Sequence, residues 1–550
     1  MRVASPLAWA VGLWALGRWP AAVEALPGLG VLGGPLGPAL VALALAVVVA
    51  RLLGLEQGAT LARVGRLGAL RLFGLGFAWL ALCGEGYATR LRVTGDEPHY
   101  LVMAQSLWRE GDLDLRDNYA RGDTREYTPA ALRPHYGAPR ADGRPFPAHS
   151  PGLPALLAPV YAVGGRRACV LLLAALAALA AVEAARLARA LAGSDAAAGA
   201  AWALALGPPL AFFGFHVYTE GPSALALCAA LRLLLAPRGG PGRAVAAALL
   251  LSTLPWLHVK LGLVAAVVGA CALLRLEGRA RTAFVGTALL MAAGFGLHYQ
   301  RVFASPTPLA IYGGTPQDVA SEPLRALLGL LFDRSFGLLP FAPAFVVALA
   351  GLVPSRLRRP SRDAAFVAAA GLAVLLPALF WRMWWGGQCP PARFLVPLVP
   401  LLGAAAGLRV ESGAGLVRWF APLLLAGHVL LGFLVLRVSD LLLVARGARP
   451  TRLWAALSGP IDVQRYLPSL VAAEASDWAI AAAWTLALAA VLALDVAARR
   501  GSARAERCFR TALAIGLGLA LTLFVDHAVR PAAAPPGVSA PAHESEEGAP

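Results

Sequence analysis

Two adjacent carboxylates, Asp96 and Glu97, stand in the stretch Thr94-Gly95-Asp96-Glu97-Pro98-His99-Tyr100, just after an apolar run that ends near Tyr87. Acidic groups so close to hydrocarbon are costly, and their presence there points to use. Two chemistries suit them. A carboxylate beside an acceptor hydroxyl or amine can take its proton as the nucleophile attacks an anomeric carbon. It can also hold a divalent cation against a phosphate leaving group. The purely structural reading is a helix start, since Asp before a Pro in the first turn is an ordinary N-terminus. One pair can serve both ends. His99 and Tyr100 follow on the predicted helix, and the acidic turn beyond it holds Asn118, the single asparagine of the chain. These three are candidates to line a substrate, against the plainer reading of loop packing.

Cationic groups that would complement a phosphate occur at two other places. His258 and Lys260 sit at a tight turn between apolar runs, and Lys260 is the single lysine. A compact ammonium there suits a phosphate; the alternative is a side chain that snorkels to the interface. Arg382 and Arg393 flank Trp384-Trp385-Gly386-Gly387-Gln388. Guanidinium forks suit phosphate oxygens and Trp faces suit a sugar or isoprenoid, although the same residues also make an interfacial belt. Glu220, at a helix start, reads as a partner of the helix dipole, and Asp333-Arg334 as a local ion pair. His99, His135 and His149 are loosely spaced around Asp96, so a divalent cation is an option without a defined ligand set. The six cysteines include no CxxC and no Cys/His metal spacing, and imply no disulfide framework.

These residues must be positioned by membrane helices. The chain has 550 residues, 58% hydrophobic and 14% charged. Apolar runs lie near 5–24, 31–53, 67–88, 166–187, 196–213, 220–236, 244–257, 261–275, 282–300, 336–353, 364–382, 394–409, 417–438, 478–497 and 511–528. The expectation is an all-α, polytopic bundle of about 13 to 15 spans. The Pro-broken segment 151–165 reads as a surface helix. Residues 1–66 read as a two-span N-terminal extension, 67–440 as the core with external loop 89–165, 441–528 as a C-terminal loop and last spans, and 529–550 as a disordered tail.

The net charge of +17 does not mark a nucleic-acid binder, because the arginines form no basic face with interleaved aromatics. They fall in alternate connections, at Arg63 and Arg66, Arg186 and Arg189, Arg356 to Arg362, and Arg499 to Arg507. The loop 89–150 balances nine Arg against nine Asp and Glu. The positive-inside rule therefore places that loop outside the cytoplasmic membrane, with the working surface external.

Gly95-Asp96-Glu97-Pro98-His99-Tyr100, with Ala104-Gln105-Ser106-Leu107 and Gly111-Asp112-Leu113-Asp114-Leu115 after it, resembles the first external loop of GT-C membrane glycosyltransferases. The likeness is to the protein mannosyltransferase and aminoarabinose transferase group. Pro255–Lys260, Phe332–Pro340 and Trp384–Phe394 resemble segments of bacterial members. The resemblance implies a GT-C-like fold, a polyprenyl-phosphate sugar donor, an external site, and a catalytic Asp at Asp96. The acceptor, whether glycan, lipid or protein, is left open. Rival readings are a transporter or flippase of lipid-linked sugars, and a non-catalytic scaffold. A cysteine placed at Ala120 is expected to react with an impermeant reagent in intact spheroplasts; labelling only after lysis would invert this topology.

Overall fold

The computed structural model describes residues 5–25, 57–90, 93, 95–128, 131–236, 240–313, 322–353, 361–412 and 462–500, with short pieces of 29–48 and 428–458. Regular structure among these residues is helical, apart from one isolated antiparallel bridge between Tyr136 and Pro147. Six helices are long and apolar enough to cross a bilayer: Ala69–Thr89, Gly152–Ala192, Gly278–Tyr312, Arg362–Leu379, Arg393–Glu411 and Ala475–Arg499. The protein is an all-α membrane bundle, as the composition requires.

Several of the apolar runs behind the expected figure of about 13 to 15 spans form shorter or divided helices among the described residues. Proline divides some apolar runs. The run 196–213 becomes Asp195–Ala205 and Leu210–Phe215 with Pro208 and Pro209 between, and 336–353 becomes Leu338–Phe341 and Phe345–Leu352 around Pro343. Other runs form helices of only 16, 17 and 12 residues, at Glu220–Leu235, Pro241–Leu257 and Gly262–Leu273. The expected spans 417–438 (save His428) and 511–528, most of 31–53, and the tail 529–550 lie outside the described residues.

Gly152–Ala192 is the hub. Ala69–Arg90, Glu97–Arg109, Asp195–Ala205, Glu220–Leu235 and Val399–Glu411 all pack on it. Its buried side is built of Ala174, Ala177, Ala178, Ala181, Ala184 and Ala188. In lipid, helices associate by close packing, and small residues permit it. The hub breaks at Gly164 and Gly165, the latter with φ 55°. That break divides the helix at the end of the Pro-broken segment 151–165.

A second close contact joins Asp195–Ala205 to Val399–Glu411. A Cβ on Gly403 would come within 3.0 Å of the Ala201 carbonyl oxygen, and one on Gly407 within 2.6 Å of that of Ala197. Gly403 and Gly407 are thus one GxxxG face against an Ala-x-x-x-Ala face. Gln57–Gly65, assigned to the N-terminal extension, is packed just as tightly: a Cβ on Gly199 would stand 2.0 Å from the Leu61 carbonyl oxygen.

Ionisable groups inside the helices are more numerous than the sequence reading allowed, but they are paired. Glu183 accepts from Arg186 at 2.8 Å and is also bridged by Arg232. Asp495, fully buried, accepts from Arg409 Nε at 3.0 Å and pairs with Arg499 at 3.1 Å. Arg232 and Arg409 lie near the C-terminal ends of segments whose N-terminal ends hold Glu220 and Arg393. The replacement Gly407→Leu is expected to cost about 1–3 kcal/mol by overpacking, read as a lower melting temperature in detergent; an unchanged melting temperature would mean the helices do not approach this closely.

Candidate functional site

Asp96 occupies the N-cap position of Glu97–Arg109, yet its side chain makes no capping hydrogen bond. It turns instead to Arg393, whose Nη2 lies 2.7 Å from Asp96 Oδ2. The same guanidinium donates from Nε to Glu220 Oε1 at 2.7 Å and from Nη1 to the Gly386 carbonyl at 2.8 Å. Its carbon stands 4.6 Å above the Tyr218 ring. One buried cation therefore bridges two carboxylates from distant parts of the chain. Each of its three nitrogens is engaged by a protein oxygen, so a donor phosphate, the partner expected from the sequence, would share the guanidinium with them. Arg382, the other arginine expected in that role, is exposed.

The segment 384–393 is shaped to deliver Arg393. Gly386 and Gly387 adopt φ of 87° and 79°, the left-handed region that glycine enters without steric cost. The segment lies directly on the Asp96 turn. Gly95 has φ +60°, and a Cβ there would stand 2.0 Å from the Gln388 carbonyl oxygen. Tyr218 donates to that carbonyl at 3.0 Å. Support comes from below: Ala392 N–H donates to the Phe336 carbonyl at 2.9 Å. Asp333 in turn accepts from the amides of Ser335, Phe336 and Leu470 at 2.8, 3.0 and 2.6 Å. Asp333 is thus a buried organiser of backbone rather than the local ion-pair partner of Arg334. Burial pushes its carboxyl up to about 6 despite those amides. Trp384 is buried, fills the space over Gly329 and meets Trp385 edge-on.

Glu97 departs from its expected catalytic place. It is fully buried and faces the bundle, accepting from Val217 N–H at 2.9 Å and from the Tyr87 hydroxyl. Asn118 also differs from its expected role. Its buried amide donates to Glu110 and Asp123, each at 3.0 Å, and braces the acidic turn. Tyr100 is buried against His149, with ring centroids 4.8 Å apart. His99, His135 and His149 pack on one another. Among the described residues, no group of three or more His, Cys, Asp or Glu side chains is placed to hold a metal ion.

His258 and Lys260 do converge with Glu220. With Glu220, Thr219, Ser223 and Phe394 they line a small cavity of about 20 Å³ whose remaining walls are apolar. The Lys260 ammonium is shut from solvent and has no hydrogen-bond acceptor; it lies 3.1 Å from the centre of the Phe394 ring. His258 accepts from the Lys260 amide at 3.3 Å. Burial lowers the Lys260 ammonium to about 7, with Arg393 pushing the same way and Glu220 opposing. Burial also opposes ionisation of Asp96, but the charge of Arg393, with His149 and His135, more than reverses this and holds the carboxyl well below the usual range. Glu220 is the residue sequence reasoning left out of the site. Its only signal was an acid at an outer helix start, beside Tyr218.

No protein-family model and no curated protein matches this sequence. Among solved structures, the chain is similar to ArnT from Cupriavidus metallidurans bound to undecaprenyl phosphate. The identity is 16%, over 84% of this chain and 77% of that one, with a TM-score of 0.43. It is also similar to the Archaeoglobus fulgidus oligosaccharyltransferase in the apo form, at 14% identity over 73% of this chain and 57% of that one, with a TM-score of 0.42. A third likeness is to AglB from Archaeoglobus fulgidus in complex with an inhibitory peptide and a dolichol-phosphate, at 13% identity over 80% of this chain and 56% of that one, with a TM-score of 0.41. These are GT-C membrane glycosyltransferases, the class whose first external loop the sequence resembles. At such scores the likeness is one of general architecture and assigns neither donor nor acceptor.

The bridge makes a direct prediction. Arg393→Met leaves Asp96 and Glu220 without their shared cation, and a loss of about 3–5 kcal/mol is expected. The melting temperature in detergent measures it, and adding Glu220→Gln should restore part of the loss. Equal stability of Arg393→Met and the parent would mean that the bridge is incidental.

Proposed function

We propose that the chain is a glycosyltransferase that moves a sugar from a polyprenyl phosphate to an acceptor at the outer face of the cytoplasmic membrane, inverting the anomeric carbon. The observation that carries this reading is the pairing of an ionised Asp96 with a buried, unpartnered Lys260 ammonium across the Arg393 bridge. Lys260 feels the charges of Glu220, Arg393 and Asp96, so the three sites sequence reasoning singled out act on one another. A scaffold has no use for a buried ammonium without an acceptor.

In this reading the small cavity widens to admit the donor phosphate, which takes the place of the missing acceptor for Lys260, next to His258. The apolar walls suit the first isoprene units. Lys260 matches the charge that builds on the phosphate as the C1–O bond breaks. Asp96 stands on the other side of Arg393 and accepts a hydrogen bond from the acceptor hydroxyl or amine. A carboxylate held well below its usual range is a weak base, and it suffices here. The attacking oxygen becomes strongly acidic once its bond to C1 is forming, so proton transfer is late and downhill. In-line displacement between the two groups inverts the centre.

The test incubates membranes containing the overproduced chain with a panel of radiolabelled polyprenyl-phosphate sugars, the membranes supplying the acceptor. Loss of label from one lipid is expected. Asp96→Asn should keep donor binding and lower transfer by roughly 10²–10⁴-fold. Donor affinity should be highest below about pH 7, where Lys260 is charged, and should weaken as pH rises through that value; Lys260→Met should remove this dependence. Full transfer by Asp96→Asn would move the base elsewhere, and a pH-independent affinity would take Lys260 out of the donor site.

A further inference from the structure

The turn that presents Asp96 is fastened at three successive residues to one other stretch of chain. That stretch is the turn 216–219, which joins the helices Leu210–Phe215 and Glu220–Leu235, together with Glu220 itself. Glu97 accepts from the Val217 amide at 2.9 Å. Asp96 and Glu220 meet through Arg393, each at 2.7 Å from the guanidinium. Gly95 backs onto Tyr218, so closely that a Cβ on Gly95 would stand 2.4 Å from the Tyr218 hydroxyl. The Asp96 turn can neither slide nor rotate on this stretch without breaking one of these contacts.

Tyr218 stands at the centre of the arrangement and is fully buried. Its hydroxyl donates to the Gln388 carbonyl at 3.0 Å. That oxygen is the one a Cβ on Gly95 would meet at 2.0 Å. The Tyr218 ring lies 4.6 Å below the Arg393 guanidinium carbon, and Phe213 meets it edge-on at 5.4 Å. One side chain therefore touches the residue before Asp96, the segment that delivers Arg393, and Arg393 itself. A phenylalanine would fill the same space without taking a hydroxyl out of water. What the hydroxyl adds is direction: it fixes where the Gln388 carbonyl stands against Gly95. The Asp96 side chain is 26% exposed, against 5% for Arg393 and 4% for Glu220. Asp96 is thus the member of the bridge that an incoming molecule can reach, and its orientation is what the surrounding contacts control.

We propose that Tyr218 is a positioning residue for sugar transfer, aiming the Asp96 carboxylate at the acceptor by holding Gln388 against Gly95 and Arg393 against Asp96. The proposal rests on the reading of Asp96 as the group that takes the acceptor's proton. Arg393 holds Oδ2 of Asp96 at 2.7 Å, which leaves the other oxygen for the acceptor hydroxyl or amine. Without the Tyr218 hydroxyl the Gln388 carbonyl loses its hydrogen bond, the turn at Gly95 loses its backstop, and the carboxylate swings on its pair with Arg393. A misplacement of about 1 Å is enough to lower a rate by up to about 10²-fold. Tyr218 is absent from the walls of the cavity that holds Lys260, so its hydroxyl acts on the attacking side of the reaction and leaves donor binding alone.

The experiment follows transfer from the lipid that the panel identifies, in membranes containing the parent, Tyr218→Phe, Asp96→Asn or the double variant. Rates are referred to donor-binding sites, so that loss of folded protein does not register as loss of kcat. Tyr218→Phe keeps the ring beneath Arg393 and removes the hydroxyl alone. It is expected to lower kcat by roughly tenfold and to leave donor KM at the parental value. In the Asp96→Asn background the same substitution is expected to change nothing further, because a residue that acts through the carboxylate has no effect once the carboxylate is gone. Parental kcat in Tyr218→Phe overturns the positioning role and leaves sugar transfer standing. A raised donor KM, or a loss that multiplies with that of Asp96→Asn, overturns it as well and places the action of Tyr218 elsewhere. If the parent releases label from no lipid, or Asp96→Asn transfers at the full rate, the reading of Asp96 falls and the role of Tyr218 falls with it.

Discussion

Arg393 between Asp96 and Glu220 is the contact on which the cavity end of the molecule depends. A buried guanidinium and two carboxylates out of water are each expensive alone, and their mutual geometry is what makes them tolerable. The bridge fixes the first loop against the helix that begins at Glu220 and against the turn that follows Trp385. It also sets the charge of the cavity. With Lys260 protonated the cluster is neutral, and a phosphodiester would tip it to a single negative charge. With Lys260 neutral the cluster already carries that charge before any ligand arrives. The difference gives the cavity a built-in preference for entering anions to bring a proton with them.

The rest of the bundle keeps that contact in register. The Ala-lined hub Gly152–Ala192 lets several helices approach closely, and the Gly403/Gly407 face does the same for the helix that follows Arg393. Towards the other ends of these helices, Glu183 and Asp495 are each held by two arginines. The charged layers at the two ends differ in kind. In the layer near Arg232 and Arg409 each carboxylate is held by two arginines, whereas the cavity layer holds an ammonium with no acceptor among the described residues.

Much of this was legible from residue types. Asp96 and Lys260 stood out because each is a polar group at a hydrocarbon boundary, and the Trp384–Phe394 segment because its arginine and tryptophans suit a phosphate and a sugar. Glu97 turns into the bundle because adjacent residues at a helix start point about 100° apart, a divergence that neighbouring positions in a sequence do not show. Glu220 was passed over because its partner lies 173 residues away, and no local pattern announces a long-range ion pair. Arg393 was assigned to a ligand because a lone arginine in sequence shows no carboxylates around it. Proline cuts some apolar runs into shorter helices that their continuous hydropathy does not reveal. Asn118 drew notice by its rarity, and what it does is brace an acidic turn.

The chain's single lysine has a further consequence. Apart from the terminal amine, the only primary amine in the protein is an ammonium held near neutrality inside the cavity. Amines in that state are nucleophiles at ordinary pH, while 47 arginines around it are inert to acylating agents and aldehydes. The cavity is therefore its own address for covalent chemistry. An amine-directed reagent with an apolar tail would mark one residue of 550 and report, by protection, on whatever occupies the space beside it.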